Sequence, residues 1–127
     1  PEGAALVAQA ARQPRFQTSD RCLACHNGLT TSAGEDVSIG FDWRATMMAN
    51  SARDPYWQAG VRRETIDHPK RAADIQDEGA SCHMPMTHRI ARAAGAKGDV
   101  FAHLPVDANS ASDQDRLAAD RRSCSPM

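Results

Sequence analysis

The sequence has few aromatic residues and no long hydrophobic stretch. Aromatic residues make up 5% of the 127 residues, and alanine is the commonest member of the 41% that are hydrophobic. Because a small domain covers little of its own surface, such side chains build only a thin core. No apolar run approaches the roughly 18 residues that a transmembrane helix requires. We therefore expect no membrane span and a core that needs something else to fill it.

The chain also lacks an excess of charge of either sign. Its formal net charge is −1, whereas a nucleic-acid-binding domain usually shows a basic patch or stripe. Residues 1–11 lack the charged and apolar regions of a signal peptide. We interpret the chain as a mature protein whose signal peptide has been removed, and we expect no nucleic-acid partner.

Patterns typical of β-strands are nearly absent, which predicts a mostly α fold with long loops and little or no β-sheet. Residues 1–17 are predicted to form an N-terminal arm, and residues 18–127 a single domain. Helices are expected from Asp42 to about Ala52, from the Asp54-Pro55 start signal, from Pro69 to Glu78, over 84–94, and after the Ser112/Asp115 capping pattern. The segment 28–40 is rich in Thr, Ser and Gly and is predicted to be a loop.

The five residues from Cys22 to His26 match C-x-x-C-H, the motif that attaches haem c. Two thiols at this spacing can reach the two vinyl groups of the porphyrin, and the following histidine can then ligate the iron. We predict that Cys22 and Cys25 bind haem covalently and that His26 is its proximal ligand. Two alternatives stay open: a Cys₃His zinc site completed by Cys82 and His83, and a disulfide between the two motif cysteines.

A second cluster at 79–83 has the same motif with glycine in place of the first cysteine. Cys82 can still form one thioether, and His83 can still ligate iron. The helical pattern before the cluster and the sequence His-Met-Pro-Met at 83–86 favour a second haem over a lone Cys-His pair in a loop.

Cys124 begins a third motif that is incomplete. Met127 occupies the position of the second cysteine, and no histidine follows. We expect a truncated or imperfectly known sequence here. Cys124 is thus a candidate attachment residue for a third haem.

A haem that transfers electrons normally has a second axial ligand, either histidine or methionine. Met48 is a candidate because it lies centrally on the apolar face of the helix predicted from Asp42, where a core methionine is the alternative. His68 precedes a proline and should therefore be extended rather than helical. His103 lies in a semi-apolar loop and is equally suitable. Two further candidates rank lower: Met47 and His88.

Together these residues give the chain a resemblance to the multihaem c-type cytochromes of bacterial respiratory and extracellular electron transfer. The motif at 22–26 carries the resemblance most specifically. The stretch 43–49 is similar to the W-x-x-S-x-H-A segment that supplies a distal histidine in such proteins, with Met48 at the histidine position. Residues 79–86 are similar to C-x-x-C-H-M-P-M, and residues 117–124 to the run before a further motif. The resemblance implies closely packed haems, extracytoplasmic assembly and a role as an electron conduit.

We therefore predict electron transfer by covalently bound c-type haems, two in number with a third left open, in a periplasmic or extracellular carrier or subunit. The expected partners are redox proteins, other haem-bearing subunits and copies of this chain. One alternative is an oxidoreductase with an open catalytic haem, to which His88 and Asp67 could contribute. No constellation of carboxylates and histidines demands it, so a non-enzymatic role is favoured. The other alternative is a zinc-stabilised binding module.

Overall fold

A computed structural model of the chain describes residues 16–120, except for the side chain of Phe41. The described part is mostly helical, which confirms the prediction of a mostly α fold with little β-sheet. Its strand pairing includes an isolated antiparallel bridge between Thr30 and Asp36. The predictions for residues 1–15 and for Cys124 lie outside the described residues.

Six α-helices and three short 3₁₀ turns follow one another along the described part. The α-helices are α1 (Asp20–Leu23), α2 (Ile39–Arg44), α3 (Pro55–Asp67), α4 (Ala72–His83), α5 (Pro85–Ala93) and α6 (Asp113–Ala119). The 3₁₀ turns are Ser51–Arg53, Pro69–Arg71 and Phe101–His103. No helix in residues 16–120 is both long enough and apolar enough to cross a bilayer.

Local start signals place two of these helices where the sequence predicts them. The Asp54 carboxylate accepts a hydrogen bond from the Tyr56 backbone N–H at 2.9 Å, and a proline occupies the first helical position of α3. The Ser112 hydroxyl likewise accepts from the Asp115 backbone N–H at 3.4 Å and caps α6. Both caps satisfy backbone donors that an α-helix leaves unpaired at its start.

The predicted helix from Asp42 to Ala52 is wrong. Helix α2 begins before Asp42 and ends at Arg44, because polar side chains bind the carbonyl groups at its end. The Thr46 hydroxyl donates to a carbonyl three residues back at 2.8 Å, and the Asn50 amide donates to the Arg44 carbonyl at 2.9 Å. Met48 is consequently 52% exposed and does not lie on a buried helix face.

The second Cys/His cluster lies inside a helix. The segment predicted from Pro69 begins as a 3₁₀ turn and continues as α4 through His83, well past Glu78. The interpretation of Cys82 and His83 as a lone pair in a loop is therefore wrong. Residues 79, 82 and 83 occupy positions i, i+3 and i+4, which share one side of a helix.

The core is small and lies around helix α4, which packs against α3 and α5, while α5 packs against α6. Among the described residues, the largest fully buried side chains are Met84 and Val100. Small and half-buried residues complete this core: Ala52, Ala80 and Ala118, with Trp57, Phe101, Leu104 and Val106 packed against them. Burial of Met84 contributes about 1.5–3 kcal/mol. Because Met86 is also buried, packing accounts for both methionines of the sequence at 83–86.

Candidate functional site

The first cluster forms a single helical turn. Helix α1 contains Cys22, and the backbone N–H groups of Cys25 and His26 both donate to the Cys22 carbonyl, at 3.1 and 2.9 Å. Side chains at i, i+3 and i+4 lie on the same side of such a turn. Cys25 and His26 are exposed, and Cys22 is half-buried. This arrangement lets two sulfur atoms and an imidazole approach one planar cofactor.

The three described cysteines differ in oxidation state. The Cys22 sulfur is disulfide-bonded, whereas Cys25 and Cys82 are free thiols. The alternative of a disulfide between Cys22 and Cys25 is therefore wrong. Because one sulfur cannot form a disulfide and a thioether together, haem attachment requires Cys22 to be reduced first.

The described residues do not bring the ligands of the zinc alternative together. All four residues of the proposed Cys₃His site, Cys22, Cys25, Cys82 and His83, are described. Residues 16–120 contain no group of three or more histidine, cysteine or acidic side chains that could hold a metal ion. The two clusters thus do not converge on a tetrahedral site.

Helix α2 packs closely against the first cluster. A Cβ atom added to Gly40 would lie 1.8 Å from Cδ2 of Leu23, so glycine permits this approach. Ile39 and Trp43 of α2 line a small crevice together with Cys22 and Leu23. Cys22 is thus set in a crevice between α1 and α2.

A larger cleft adjoins this crevice. It has a volume of about 450 Å³, which falls in the range of small-molecule sites. Its wall is mostly polar and includes Ser19, Asp20, Arg44, Arg53, Arg116 and Asp120. Ser19, Trp43 and Arg44 line both spaces, so the cleft begins beside Cys22.

Exposed hydrophobic side chains are concentrated in the segment that follows the first cluster in sequence. In the part of the chain that the structure describes, seven large hydrophobic residues are exposed, and five of them lie between positions 29 and 48: Leu29, Val37, Ile39, Met47 and Met48. Burial of such surface is favourable, so this region offers apolar area to a bound group.

The second cluster is held by the core. Nδ1 of His83 lies 2.8 Å from the Ser51 carbonyl oxygen, and the imidazole stacks on Trp57 with ring centroids 4.0 Å apart. A carbonyl oxygen only accepts, so Nδ1 carries the proton and Nε2 keeps its lone pair. Histidines that bind metals commonly donate their other ring N–H in this way. The neighbouring Cys82 is exposed.

Gly79 occupies the position of the missing cysteine, on the same side of α4 as His83. A Cβ added there would lie 3.5 Å from Cζ2 of Trp57 and 3.7 Å from Cγ2 of Val61. These are ordinary van der Waals distances. A Cβ atom at residue 79 therefore fits without rearrangement of α3.

The three predicted distal ligands lie in different surroundings. Met48 is exposed in the turns after α2, and His68 is exposed at the end of α3 with Nε2 3.8 Å from a Glu64 carboxylate oxygen. His103 is mostly buried, and its Nδ1 lies 3.0 Å from Asp115 Oδ1. That hydrogen bond is the main cause that lowers the pKa of Asp115. Within the described residues, no hydrogen bond, ion pair or ring contact joins His68 or His103 to a proximal histidine.

His88 and Asp67 are both engaged elsewhere. Nε2 of His88 lies 3.1 Å from Asp77 Oδ1, which also accepts from the Gly98 backbone N–H at 2.7 Å. The Gly98 hydrogen bond is the main cause that lowers the pKa of Asp77. Asp67 pairs with Arg63 at 2.7 Å. The oxidoreductase alternative thus gains no free acid–base group from either residue.

Trp57 and Ser51 are the two residues of the site that the sequence analysis did not single out for it. Trp57 follows the Asp54-Pro55 helix start closely, but its partner His83 is 26 positions further along the chain. No local pattern indicates such a contact.

Comparison with protein-family models, with curated proteins and with solved structures finds no match for this chain.

Proposed function

We propose that this chain is a c-type cytochrome that transfers single electrons through haem bound covalently at Cys22 and Cys25. The helical turn at 22–26 carries the proposal, because it presents both cysteines and His26 on one side of the backbone. The exposed hydrophobic residues between positions 29 and 48 support it, because a porphyrin would cover apolar surface there.

A second haem is proposed at Cys82 and His83, held by one thioether. The support comes from the Ser51 carbonyl, which fixes the His83 proton on Nδ1 and leaves Nε2 to ligate iron. Cys82 precedes His83 in the same helical turn and is a free, exposed thiol. The two clusters therefore offer the same ligand type with different numbers of covalent links.

The distal ligands are proposed to be drawn from Met48, His68 and His103. Of these, His103 is the strongest candidate, because its hydrogen bond to Asp115 fixes the ring and engages Nδ1. Nε2 is then the ring nitrogen that would ligate iron. When bound, haem supplies the one-electron chemistry, and the chain supplies axial ligands, burial and charge. Ligation by Met48 would raise the potential of one haem above that of a haem with two histidine ligands.

Haem attachment implies assembly in the periplasm or outside the cell, with redox proteins, other haem-bearing subunits or copies of this chain as partners. The single-thioether second haem and the small core both favour an assembly in which further surface is covered.

The visible spectrum tests the proposal and its main alternative. The chain is exported together with a haem c maturation system, purified, and reduced with dithionite. A carrier is expected to show low-spin haem that does not bind added carbon monoxide, because both axial positions are occupied. High-spin haem that binds carbon monoxide would favour the oxidoreductase instead, and a colourless protein would contradict both.

A further inference from the structure

We propose that the cleft of about 450 Å³ binds a free α-amino acid, whose carboxylate is held by Arg44 and Arg53 and whose ammonium group is held by Asp20. The volume lies in the range of small-molecule sites. This inference does not rest on the proposed haem, because Cys25 and His26 are both described and line neither the cleft nor the crevice beside it. The class of ligand follows from the charged groups along the wall.

Two arginines of the cleft are held together by one asparagine. The Asn50 side-chain amide donates to the Arg44 carbonyl at 2.9 Å, and its side-chain oxygen accepts from Arg53 at 3.3 Å. The Arg44 guanidinium has no hydrogen bond or ion pair with another described residue. The third arginine of the cleft, Arg116, is engaged by Asp113. Guanidinium groups bind carboxylates through paired N–H donors, so Arg44 and Arg53 are suited to the acid group of a ligand.

Two aspartates of the cleft lie close to each other and apart from the arginines. Asp120 accepts a hydrogen bond from the Ser19 backbone N–H at 2.5 Å, and Asp20 is the next residue after Ser19. Among the described residues, no ion pair joins either aspartate to an arginine of the cleft. The Asp20 carboxylate can therefore attract the ammonium group of a ligand.

The balance of these charges selects a ligand that carries both signs. Because Arg116 is engaged by Asp113, two arginines are matched by two aspartates, and the lining has no excess charge to favour a simple anion or cation. A zwitterion can bind both kinds of group at once. Trp43 and the alanines at 49, 108 and 119 also line the cleft and offer apolar area to a side chain. An α-amino acid with an apolar side chain combines these features.

The test is an NMR titration of the full, haem-free chain with three matched probes. L-Leucine carries both charges, isocaproate lacks the ammonium group, and isoamylamine lacks the carboxylate. The chain has two tryptophans, of which Trp43 lines the cleft and Trp57 stacks on His83, so their indole N–H signals report on two separate places. L-Leucine should shift the Trp43 signal saturably and leave the Trp57 signal unchanged. It should also bind at least about fivefold more tightly than either other probe, because each of them lacks one ion pair.

Two variants assign the two charges of the ligand. Arg44→Gln should weaken the binding of L-leucine about fivefold and should not weaken the binding of isoamylamine. Asp20→Asn should weaken the binding of L-leucine to a similar extent and should not weaken the binding of isocaproate. Arg89→Gln and Glu78→Gln, at exposed positions of α5 and α4, are the matched controls and should bind L-leucine as the unmodified chain does. An unchanged Trp57 signal shows that each variant is folded.

Three results would overturn the inference. If isocaproate or isoamylamine binds as tightly as L-leucine, the cleft recognises a single charge and not a zwitterion. If L-leucine produces no saturable shift of the Trp43 signal, the cleft does not bind an amino acid. If Arg44→Gln and Asp20→Asn match their controls, these residues do not hold the ligand. Because the titration uses the haem-free chain, none of these results decides whether haem attaches at Cys22 and Cys25.

Discussion

The two Cys/His clusters share one spacing but differ in how the fold supports them. At 22–26 the cluster is a short turn with an exposed cysteine and an exposed histidine, and Cys22 lines a small crevice between α1 and α2. At 79–83 the cluster lies in a twelve-residue helix, where His83 is hydrogen-bonded to Ser51 and stacked on Trp57. The first cluster has both cysteines of the motif, but its histidine is exposed. The second cluster has one cysteine of the motif, and its histidine is held by Ser51 and Trp57.

This difference suggests a division of labour between covalent and non-covalent anchoring. A histidine held by the core loses little freedom when it binds a metal, so one thioether can suffice. A histidine on an exposed turn needs both thioethers to fix the cofactor. Under the proposed function, the support that His83 receives from the core explains why glycine is tolerated at position 79.

The largest expected effect is loss of a haem. Cys82→Ala should remove the second haem and leave the first, because its thioether is the single covalent link at that site. Ser81→Ala, one residue away and exposed, is the matched control and should keep both haems. Haem per chain is measured by pyridine haemochrome. Retention of two covalent haems in Cys82→Ala would contradict the assignment of the second site.

A smaller difference is expected in the stability of the haem-free chain. His83→Ala should lower the free energy of unfolding by about 1–3 kcal/mol, because it removes a hydrogen bond and a ring stack in a partly buried position. His26→Ala, its exposed counterpart, should change it by about 0.5 kcal/mol or less. Urea denaturation measures both. Equal effects of the two variants would show that the clusters are not supported differently.

Gly79→Cys should convert the second cluster into a full motif. The added Cβ fits beside Trp57 and Val61, and replacement of a mid-helix glycine contributes about 0.5–1 kcal/mol to stability. The second thioether removes a vinyl group from conjugation, so the haemochrome band should move to shorter wavelength. Gly79→Ala is the control: it should give the stability gain without the spectral shift. A band that stays in place in Gly79→Cys would indicate that the haem edge lies elsewhere.

The smallest expected effect is on acid stability. The pKa of Asp77 is lowered, chiefly by the Gly98 hydrogen bond, so its contribution is present above the unfolded-state pKa near 4 and is lost as pH falls through the folded-state value. Asp77→Asn should therefore flatten the fall in melting temperature of the haem-free chain below about pH 5. Asp42→Asn, on exposed α2, should leave that fall unchanged. An equal fall in melting temperature at acid pH in the unmodified chain and in both variants would show that ionised Asp77 does not contribute to stability.

Local signals made part of this structure predictable. The Asp54-Pro55 and Ser112 helix starts follow from side chains that cap the first turn, and the sequence predicts both. The end of α2 at Arg44 was missed, because the Thr46 and Asn50 side chains compete for carbonyls that a longer helix would use. Periodicity alone does not show that competition.

Part of the candidate site is likewise predictable from the sequence, and part depends on the fold. The residues at 22–26 are contiguous, so their spacing predicts both the chemistry and the helical turn. The setting of His83 depends on Ser51, which lies 32 positions away, and only the fold brings them together. Met48 was predicted to be on a buried face and is exposed, because that prediction depended on the length of α2.

The most direct test of the central claim is peptide mass mapping of the chain after export with a haem c maturation system. The account predicts haem on the peptide that contains Cys22 and Cys25, through two thioethers, and a second haem on the peptide that contains Cys82, through one. A chain from the same cells that carries no haem, with Cys22 still in a disulfide and Cys25 a free thiol, would contradict it.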